Sequence, residues 1–237
     1  AHNKALINVN ADTAFINSNY GNVATVAASA GATVTIEGDD LAITNKNTGY
    51  LKDAHVAEKE DAKIAIGSGG LINPSRPDLV EEYGATKVNA GDIIIKAANK
   101  LAIDGNIVIN AAKDSAAGNS ISINQDDPED KTKKYTKALV NITGDIYTDK
   151  GNEVHLTLGD GSAASQTGNA AGRQAGRSTL TGKILDAAST ATGFSFSDAN
   201  FSAKGTNLNM KDATWNVTAN SEVAKVEMAG SSIIDLT

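Results

Sequence analysis

The residues best suited to chemistry in this sequence are a serine and a histidine that stand close together in the chain. Ser162 follows the glycine-rich stretch Gly159–Gly161, and His155 precedes it in the alternating segment EVHLTL. Serine and histidine are the nucleophile and base of acyl-transfer sites, but a third group must orient the base. His155 alternates with Val154 and Leu156, so it is expected to point outward from a strand. We therefore predict no catalytic triad and no enzymatic activity.

Carboxylates form a second group with chemical potential, in the acidic run Asp126–Asp130. Clustered carboxylates suit Ca²⁺, but this run lacks the alternating aspartates and central glycine of known calcium loops. The lysine-rich segment 131–134 balances its charge, which favours a solvated loop. The histidines lack the spacing of a zinc site; they are His2, His55 and His155. The sequence predicts no metal and no cofactor, although an ion at the acidic run stays open.

Two adjacent carboxylate pairs bear on glycoside hydrolysis, which needs two carboxyl groups at a defined separation across the bond. The pairs are Asp39-Asp40 and Glu81-Glu82. Neighbouring residues on a strand point to opposite faces, so Asp39 and Asp40 suit a corner better than a catalytic pair.

Charged and aromatic residues in the irregular segments are the candidates for binding a partner. Long excursions from short repeats are where solenoid proteins place their binding surfaces, although such loops also tolerate insertions without function. The predicted ligand-binding residues are Tyr50, Lys52, Arg76, Glu81, Glu82, Tyr83, Arg173 and Arg177.

These segments must be held by a scaffold, and the clearest part of that scaffold is the stretch LAIDGNIVIN at residues 101–110. Its apolar residues alternate as in a strand with one buried face, and Asp104-Gly105-Asn106 provides a tight corner. The pattern returns around Gly144 and Gly182, at spacings of 39 and 38 residues, with weaker echoes at Gly38 and Gly91. Short strands cornered by glycine at a fixed period are typical of stacked repeats.

Composition agrees with an elongated all-β repeat. Only 4% of the 237 residues are aromatic, so the core must be built mainly from aliphatic side chains. The formal charge is −7 without a dense basic cluster, which argues against nucleic acid as a partner. Cysteine is absent, which excludes disulfides, and no apolar run reaches the ~18 residues of a membrane span. We expect one domain over 1–237, with insertions at about 45–87, 125–137 and 159–178.

A β-helix with coils of roughly 20–25 residues would have on the order of eight to ten coils. An antiparallel sandwich remains open as an alternative, because Asp104-Gly105 also suits a two-residue hairpin turn.

Residues 213–237, ATWNVTANSEVAKVEMAGSSIIDLT, resemble the passenger domains of bacterial autotransporters, which belong to type V secretion. The likeness lies in the Trp215–Thr218 strand, the Asn220–Val223 turn and the Gly230-Ser231 corner, with Val226 where that pattern often has Leu. The resemblance implies a right-handed parallel β-helix, a signal peptide upstream and an outer-membrane β-barrel downstream. The sequence contains neither flanking segment, so we expect it to be a fragment of a longer protein.

The resemblance further implies a cell-surface adhesin, tethered to the outer membrane, that supports attachment, aggregation, biofilm formation and virulence. Its expected partners are host or bacterial surface proteins or glycans, with self-association open and no membrane insertion by this segment. Two alternatives remain: a β-helical polysaccharide-degrading enzyme and a structural stalk that binds nothing. Fold alone does not decide among them.

Overall fold

The computed structural model describes residues 4–18, 24–29, 31–45, 64–69, 90–110, 119–126, 135–148, 152–164, 176–186 and 205–236. Within these residues, one turn of 3-10 helix at Tyr135–Lys137 accompanies a set of β-strands. The strands are β1 (Leu6–Asn10), β2 (Thr13–Ser18), β3 (Val26–Ala28), β4 (Thr33–Asn45), β5 (Ile64–Gly69), β6 (Asp92–Asp104), β7 (Asn106–Asn110), β8 (Ser120–Ile123), β9 (Leu139–Thr143), β10 (Ile146–Thr148), β11 (Glu153–Leu158), β12 (Thr179–Thr181), β13 (Ile184–Asp186), β14 (Gly205–Lys211), β15 (Thr214–Asn216), β16 (Lys225–Ala229) and β17 (Ile233–Asp235).

The strands form two sheets. The larger sheet consists of two series of stacked strands, and the long strands β4 and β6 contribute one half to each series. Its first series runs β1, β4, β6, β8, β11, β14, β16. Its second series runs β2, β4, β6, β9, β12, β15, β17. The smaller sheet has the order β13, β10, β7, β5, β3. All pairings between these strands are parallel, so the fold is all-β with parallel strands, an arrangement compatible with a solenoid.

The antiparallel alternative is wrong for the corner at Asp104-Gly105. A hairpin there would pair β6 with β7 in one antiparallel ladder. Instead, β6 belongs to the larger sheet and β7 to the smaller one, and both have parallel neighbours.

The core consists of aliphatic columns that run perpendicular to the strands. Because paired residues in a parallel ladder point the same way, each inward residue stacks on its partner in the next strand. One buried column, in the first series, continues over seven strands as Val9, Ile36, Ile95, Ile123, Leu156, Leu208 and Val226. The second series has an equivalent column of Ile16, Ile43, Ile103, Ile142, Leu180, Trp215 and Ile234. The residues inside each column are buried, and only its end members are partly exposed.

The predicted glycine corners stack directly on one another. Gly105, Gly144 and Gly182 have φ of 132°, 150° and 157°. The Gly105 N–H donates to Thr143 O at 2.8 Å, and the Gly144 N–H donates to Thr181 O at 3.0 Å. A Cβ on Gly144 would lie 2.3 Å from Gly105 O. The sequence period of these glycines therefore corresponds to one step along the stack, as predicted. The weaker echoes belong to other bends: Gly38 lies between the halves of β4, and Gly91 directly precedes β6.

Two features differ from the expectation of uniform coils. Each series stacks seven strands within the described residues, not the expected eight to ten. The reason is that more than 25 residues often separate one stacked position from the next; Val34, for example, pairs with Ile93. β5 lies within the range 45–87, yet it is buried and pairs with β3 and β7. The rest of that range after Asn45 lies outside the described residues.

The alternation of buried and exposed residues is also interrupted at Val108, which the sequence pattern places on the face opposite to Ile107 and Ile109. All three are buried. Val108 packs in a separate apolar cluster with Ala24 and Ile64, and Tyr147 lies against this cluster. The outer side of the smaller sheet is thus partly covered.

Polar groups replace the aliphatic columns at one corner of the core. Asp186 is buried and accepts hydrogen bonds from Thr206 N at 2.8 Å, Thr206 Oγ1 at 2.7 Å and Ala224 N at 2.8 Å. Thr148 Oγ1 lies 2.9 Å from Thr206 Oγ1. These bonds satisfy groups that would otherwise be costly to bury, and they join three successive levels of the stack.

Candidate functional site

A groove of about 510 Å³ opens on the outer side of the first series, near the carboxyl ends of its strands. We call it the outer groove. Its lining combines neutral polar, charged and apolar side chains, namely Gln125, Asp126, Thr136, Thr157, Asn209, Met210, Lys211, Glu227, Met228 and Ala229.

The polar floor of the outer groove comes from one file of residues across β11, β14 and β16. Thr157 pairs with Asn209, and Asn209 pairs with Glu227. Parallel pairing in this register spaces the three side chains about 4.8 Å apart along the stack. Met228 pairs with Met210 in the next position; Met210 is buried in the core, whereas Met228 is 49% exposed and provides an apolar group at the edge of the groove.

One wall of the outer groove is the segment that follows β8, and hydrogen bonds fix it in place. Gln125 Nε2 donates to Thr157 Oγ1 at 2.8 Å, across one level of the stack. Asp126 accepts from Thr136 N at 3.1 Å and from Thr136 Oγ1 at 3.0 Å. The carboxyl group thus ties the two ends of the 127–135 excursion together.

Tyr135 anchors the same wall to the sheet. Its ring is only 2% exposed, and its hydroxyl group donates to Glu37 Oε1 at 2.8 Å. The Lys96 ammonium lies 5.4 Å from the ring centroid, within the range of a cation–π contact. These contacts attach Tyr135 to two strands of the first series, β4 through Glu37 and β6 through Lys96.

The opposite rim of the outer groove carries an ion pair. Lys211 Nζ lies 2.8 Å from Asp160 Oδ2, and Ser162 N donates to Asp160 Oδ1 at 2.9 Å. Burial alone would raise the pKa of Asp160, but the hydrogen bonds from Lys211 and Ser162 outweigh it and lower the pKa. The Lys211 ammonium is thereby held beside the Asp160 carboxylate.

This ion pair predicts a pH dependence that can be measured directly. A carboxyl group whose pKa is depressed in the folded state stabilises the fold above its unfolded pKa of about 3.9, and this contribution is lost as pH falls through the folded pKa. Lys211→Met keeps an apolar stem but removes the charge, so the pKa of Asp160 should move upward. An NMR titration of the Asp160 side-chain carboxyl carbon measures this shift, with Lys225→Met as the control. An unchanged Asp160 titration in Lys211→Met would show that the pair does not form.

The serine and histidine singled out from the sequence take part in local contacts. His155 is half-buried on the outer side of β11, as predicted, with Nε2 2.9 Å from Glu153 Oε2. Ser162 caps the Asp160 carboxyl group through its backbone N–H. Among the described residues, no group of three or more His, Cys, Asp or Glu side chains is arranged to hold a metal ion.

Most of the predicted ligand-binding residues fall outside the part of the chain that the structure describes. These are Tyr50, Lys52, Arg76, Glu81, Glu82, Tyr83 and Arg173. Arg177 is described, and it is exposed on the segment before β12. Of the acidic run, only Asp126 is described, and it lies in the wall of the outer groove.

The floor of the outer groove was not predicted from the sequence. Thr157, Asn209 and Glu227 lie on three strands separated by long connections, so only the strand register brings them together. The predicted insertion at 125–137 was the one signal available, because its two ends form the wall. No helix among the described residues is long and apolar enough to cross a membrane.

No protein family, curated protein or solved structure matches this chain.

Proposed function

We propose that the chain is a right-handed parallel β-helix. Three runs of parallel strands, visited in turn and each paired level by level, are the pairing pattern that a coiled solenoid requires. Parallel strands joined by crossover connections are almost always right-handed, and the resemblance of residues 213–237 to autotransporter passenger domains agrees with that hand.

On this scaffold, the chain acts as a cell-surface adhesin of the bacterial autotransporter type. The observation that supports this function is the outer groove, a concavity whose floor is a regular file of side chains and whose wall is formed by Gln125, Asp126 and Thr136. Repeat proteins bind partners on such surfaces, where excursions from the repeat meet a rigid sheet.

The groove chemistry suits a segment of a surface glycan or protein. The Asn209 amide and the Gln125 side-chain oxygen offer hydrogen bonds, while the exposed Met228 offers apolar contact. A sugar ring presents hydroxyl groups on its edge and C–H groups on its face, and an extended peptide presents amides beside side chains. Both classes match this alternation of polar and apolar lining.

The test is competition for attachment by cells that display the full parent protein. The purified 237-residue chain is added before the cells meet their target surface, and attachment or clumping is counted. We expect inhibition by the unaltered chain. Asn209→Arg, which fills the groove floor, should raise the concentration for half-inhibition at least about tenfold, the loss expected when about 1.4 kcal/mol of binding is removed.

The matched control is Asn207→Arg, which introduces the same side chain on the outer side of the same strand, outside the groove lining. It should inhibit as well as the unaltered chain. Failure of the folded, unaltered chain to compete at high concentration would favour a stalk. Equal inhibition by the unaltered chain and both variants would place the adhesive surface elsewhere.

A further inference from the structure

The outward side chains of β9, β12 and β15 form a regular surface that carries no charge. Each of these strands pairs with a described strand on both sides, so the surface lies within the stack. We call it the polar face, and its members are Asn141, Thr143, Thr179, Thr181, Thr214 and Asn216. Thr143 is exposed and the other five side chains are half-buried, so all six reach the surface.

The strand register arranges the polar face in two parallel files. The first file is Asn141, Thr179 and Thr214, and the second is Thr143, Thr181 and Asn216. Successive members of a file are about 4.8 Å apart along the stack. A ligand that runs along the stack therefore meets a similar pair of hydrogen-bonding groups at each of three levels.

Hydrogen bonds between levels hold the polar face in order. Thr179 Oγ1 donates to Asn141 Oδ1 at 3.1 Å, and Asn216 Nδ2 donates to Thr181 Oγ1 at 3.1 Å. A threonine hydroxyl group has one donor and two acceptor positions, so Thr179 retains acceptor positions and Thr181 retains its donor for a ligand. Threonine is also stiff about χ1, which limits the entropy lost when a ligand binds.

The composition of the polar face argues against most classes of partner. Nucleic acids and anionic glycans are bound by cationic side chains, and none of the six residues is charged. Protein interfaces concentrate aromatic residues, Met and Arg at their centres, and the polar face has none of these. Asp104 pairs with Thr143 and Asp235 pairs with Asn216, so the charges at its borders would repel an anionic polymer. A neutral ligand rich in hydroxyl groups is complementary to this surface.

The repetition of the polar face favours a polymer over a single sugar. An extended β-1,4-linked polysaccharide advances along its axis, for each sugar, by little more than the strand spacing of about 4.8 Å. We propose that the polar face binds a neutral, extended polysaccharide that runs along the stack with one sugar at each level. The polar face shares no residue with the outer groove, so this binding does not depend on adhesion through the groove.

The test is affinity electrophoresis of the 237-residue chain in native gels that contain a dissolved polysaccharide. One gel contains glucomannan, which is neutral, extended and β-1,4-linked. The second contains soluble starch, whose α-1,4-linked chain coils, and the third contains alginate, which is extended but carries a carboxylate on every sugar. We expect glucomannan alone to retard the unaltered chain, relative to its mobility in a gel without polymer.

Three variants locate the binding surface. Thr179→Lys puts a charge and a long side chain in the middle of the polar face, and it should weaken binding to glucomannan at least about tenfold. Thr181→Val replaces only a hydroxyl group by a methyl group, and it should weaken binding about threefold, as expected for one lost hydrogen bond. Thr35→Lys is the matched control, because Thr35 is a half-buried outward threonine on β4 in the first series. It should be retarded like the unaltered chain, and circular dichroism checks the fold of each variant.

The proposal would be overturned if glucomannan did not retard the folded, unaltered chain. Equal retardation in all three gels would overturn it as well, as would a Thr179→Lys variant that is retarded as strongly as Thr35→Lys. The groove variant Asn209→Arg should be retarded normally. Loss of attachment through the outer groove and loss of polysaccharide binding are therefore separate results.

Discussion

Ile103→Asp is expected to remove most of the stability of the described stack. Ile103 is 2% exposed and lies in the middle of the second-series column, between Ile43 and Ile142. The substitution loses the apolar contacts of a buried isoleucine and places a carboxyl group where no donor is positioned to receive it. We expect a loss of about 4 kcal/mol or more in the free energy of unfolding, measured by urea denaturation followed by circular dichroism.

Thr143→Asp is the comparison, because Thr143 is exposed on the outer side of a neighbouring strand of the same series. Its new carboxylate would stand opposite Asp104, so a small loss from like-charge repulsion is expected, under about 1 kcal/mol. Equal losses for the two variants would contradict the assignment of Ile103 to the core.

Gly144→Ala should have the second large effect. A Cβ at this position would lie 2.3 Å from Gly105 O and 2.5 Å from Gly105 C, and both are backbone atoms that cannot move without shifting the adjacent level. The φ of 150° is also unfavourable for alanine. Overlap and backbone strain each cost about 1–3 kcal/mol, so we expect a loss of about 3 kcal/mol or more by urea denaturation.

Gly31→Ala separates the two causes. Gly31 has φ of 71°, but its added Cβ would have only Lys4 Cγ nearby, at 3.7 Å. Its free energy of unfolding should therefore fall only by the cost of the backbone conformation, about 1–2 kcal/mol. If Gly144→Ala cost no more than Gly31→Ala, the close stacking of the glycine corners would be wrong.

The fold predictions that the structure confirms rest on local sequence patterns. The alternation in residues 101–110 reports directly which side chains are buried, because a strand repeats every two residues. The 39- and 38-residue spacings of Gly105, Gly144 and Gly182 report the stacking period, because only a residue without a side chain fits where one corner rests on the next.

Other features could not be predicted because they depend on neighbours that are distant in sequence. Val108 has the local pattern of an outward residue, and it is buried because Ile64 and Tyr147 lie against it. Asp186 looks like a solvent-exposed turn residue, and its burial depends on Thr206 and Ala224. Coils of uniform length were expected, but connections of very different length return the chain to the same register.

The candidate site shows the same limit more strongly. Thr157, Asn209 and Glu227 carry no motif, and polar residues of these types occur throughout the chain. Their alignment is a consequence of register, while the wall at Gln125 and Asp126 depends on Tyr135 reaching Glu37. The predicted insertion at 125–137 therefore marked the residues at its two ends that line the groove, but not the strand residues of the groove floor.

The most direct test of the account is a cysteine cross-link between adjacent levels of the stack. The chain has no cysteine, so Thr143→Cys with Thr181→Cys introduces one defined pair without background. These positions are directly paired in the second series, at a Cα separation of about 4.8 Å, which is within the range for a disulfide. Asn141→Cys with Thr181→Cys is offset by two residues, at about 8 Å, which is too far.

The account predicts rapid intramolecular disulfide formation under mild oxidation for the Thr143–Thr181 pair and none for the Asn141–Thr181 pair, read by gel mobility and peptide mass. A cross-link in the offset pair without one in the paired positions would contradict the parallel register on which the core columns and the outer groove depend.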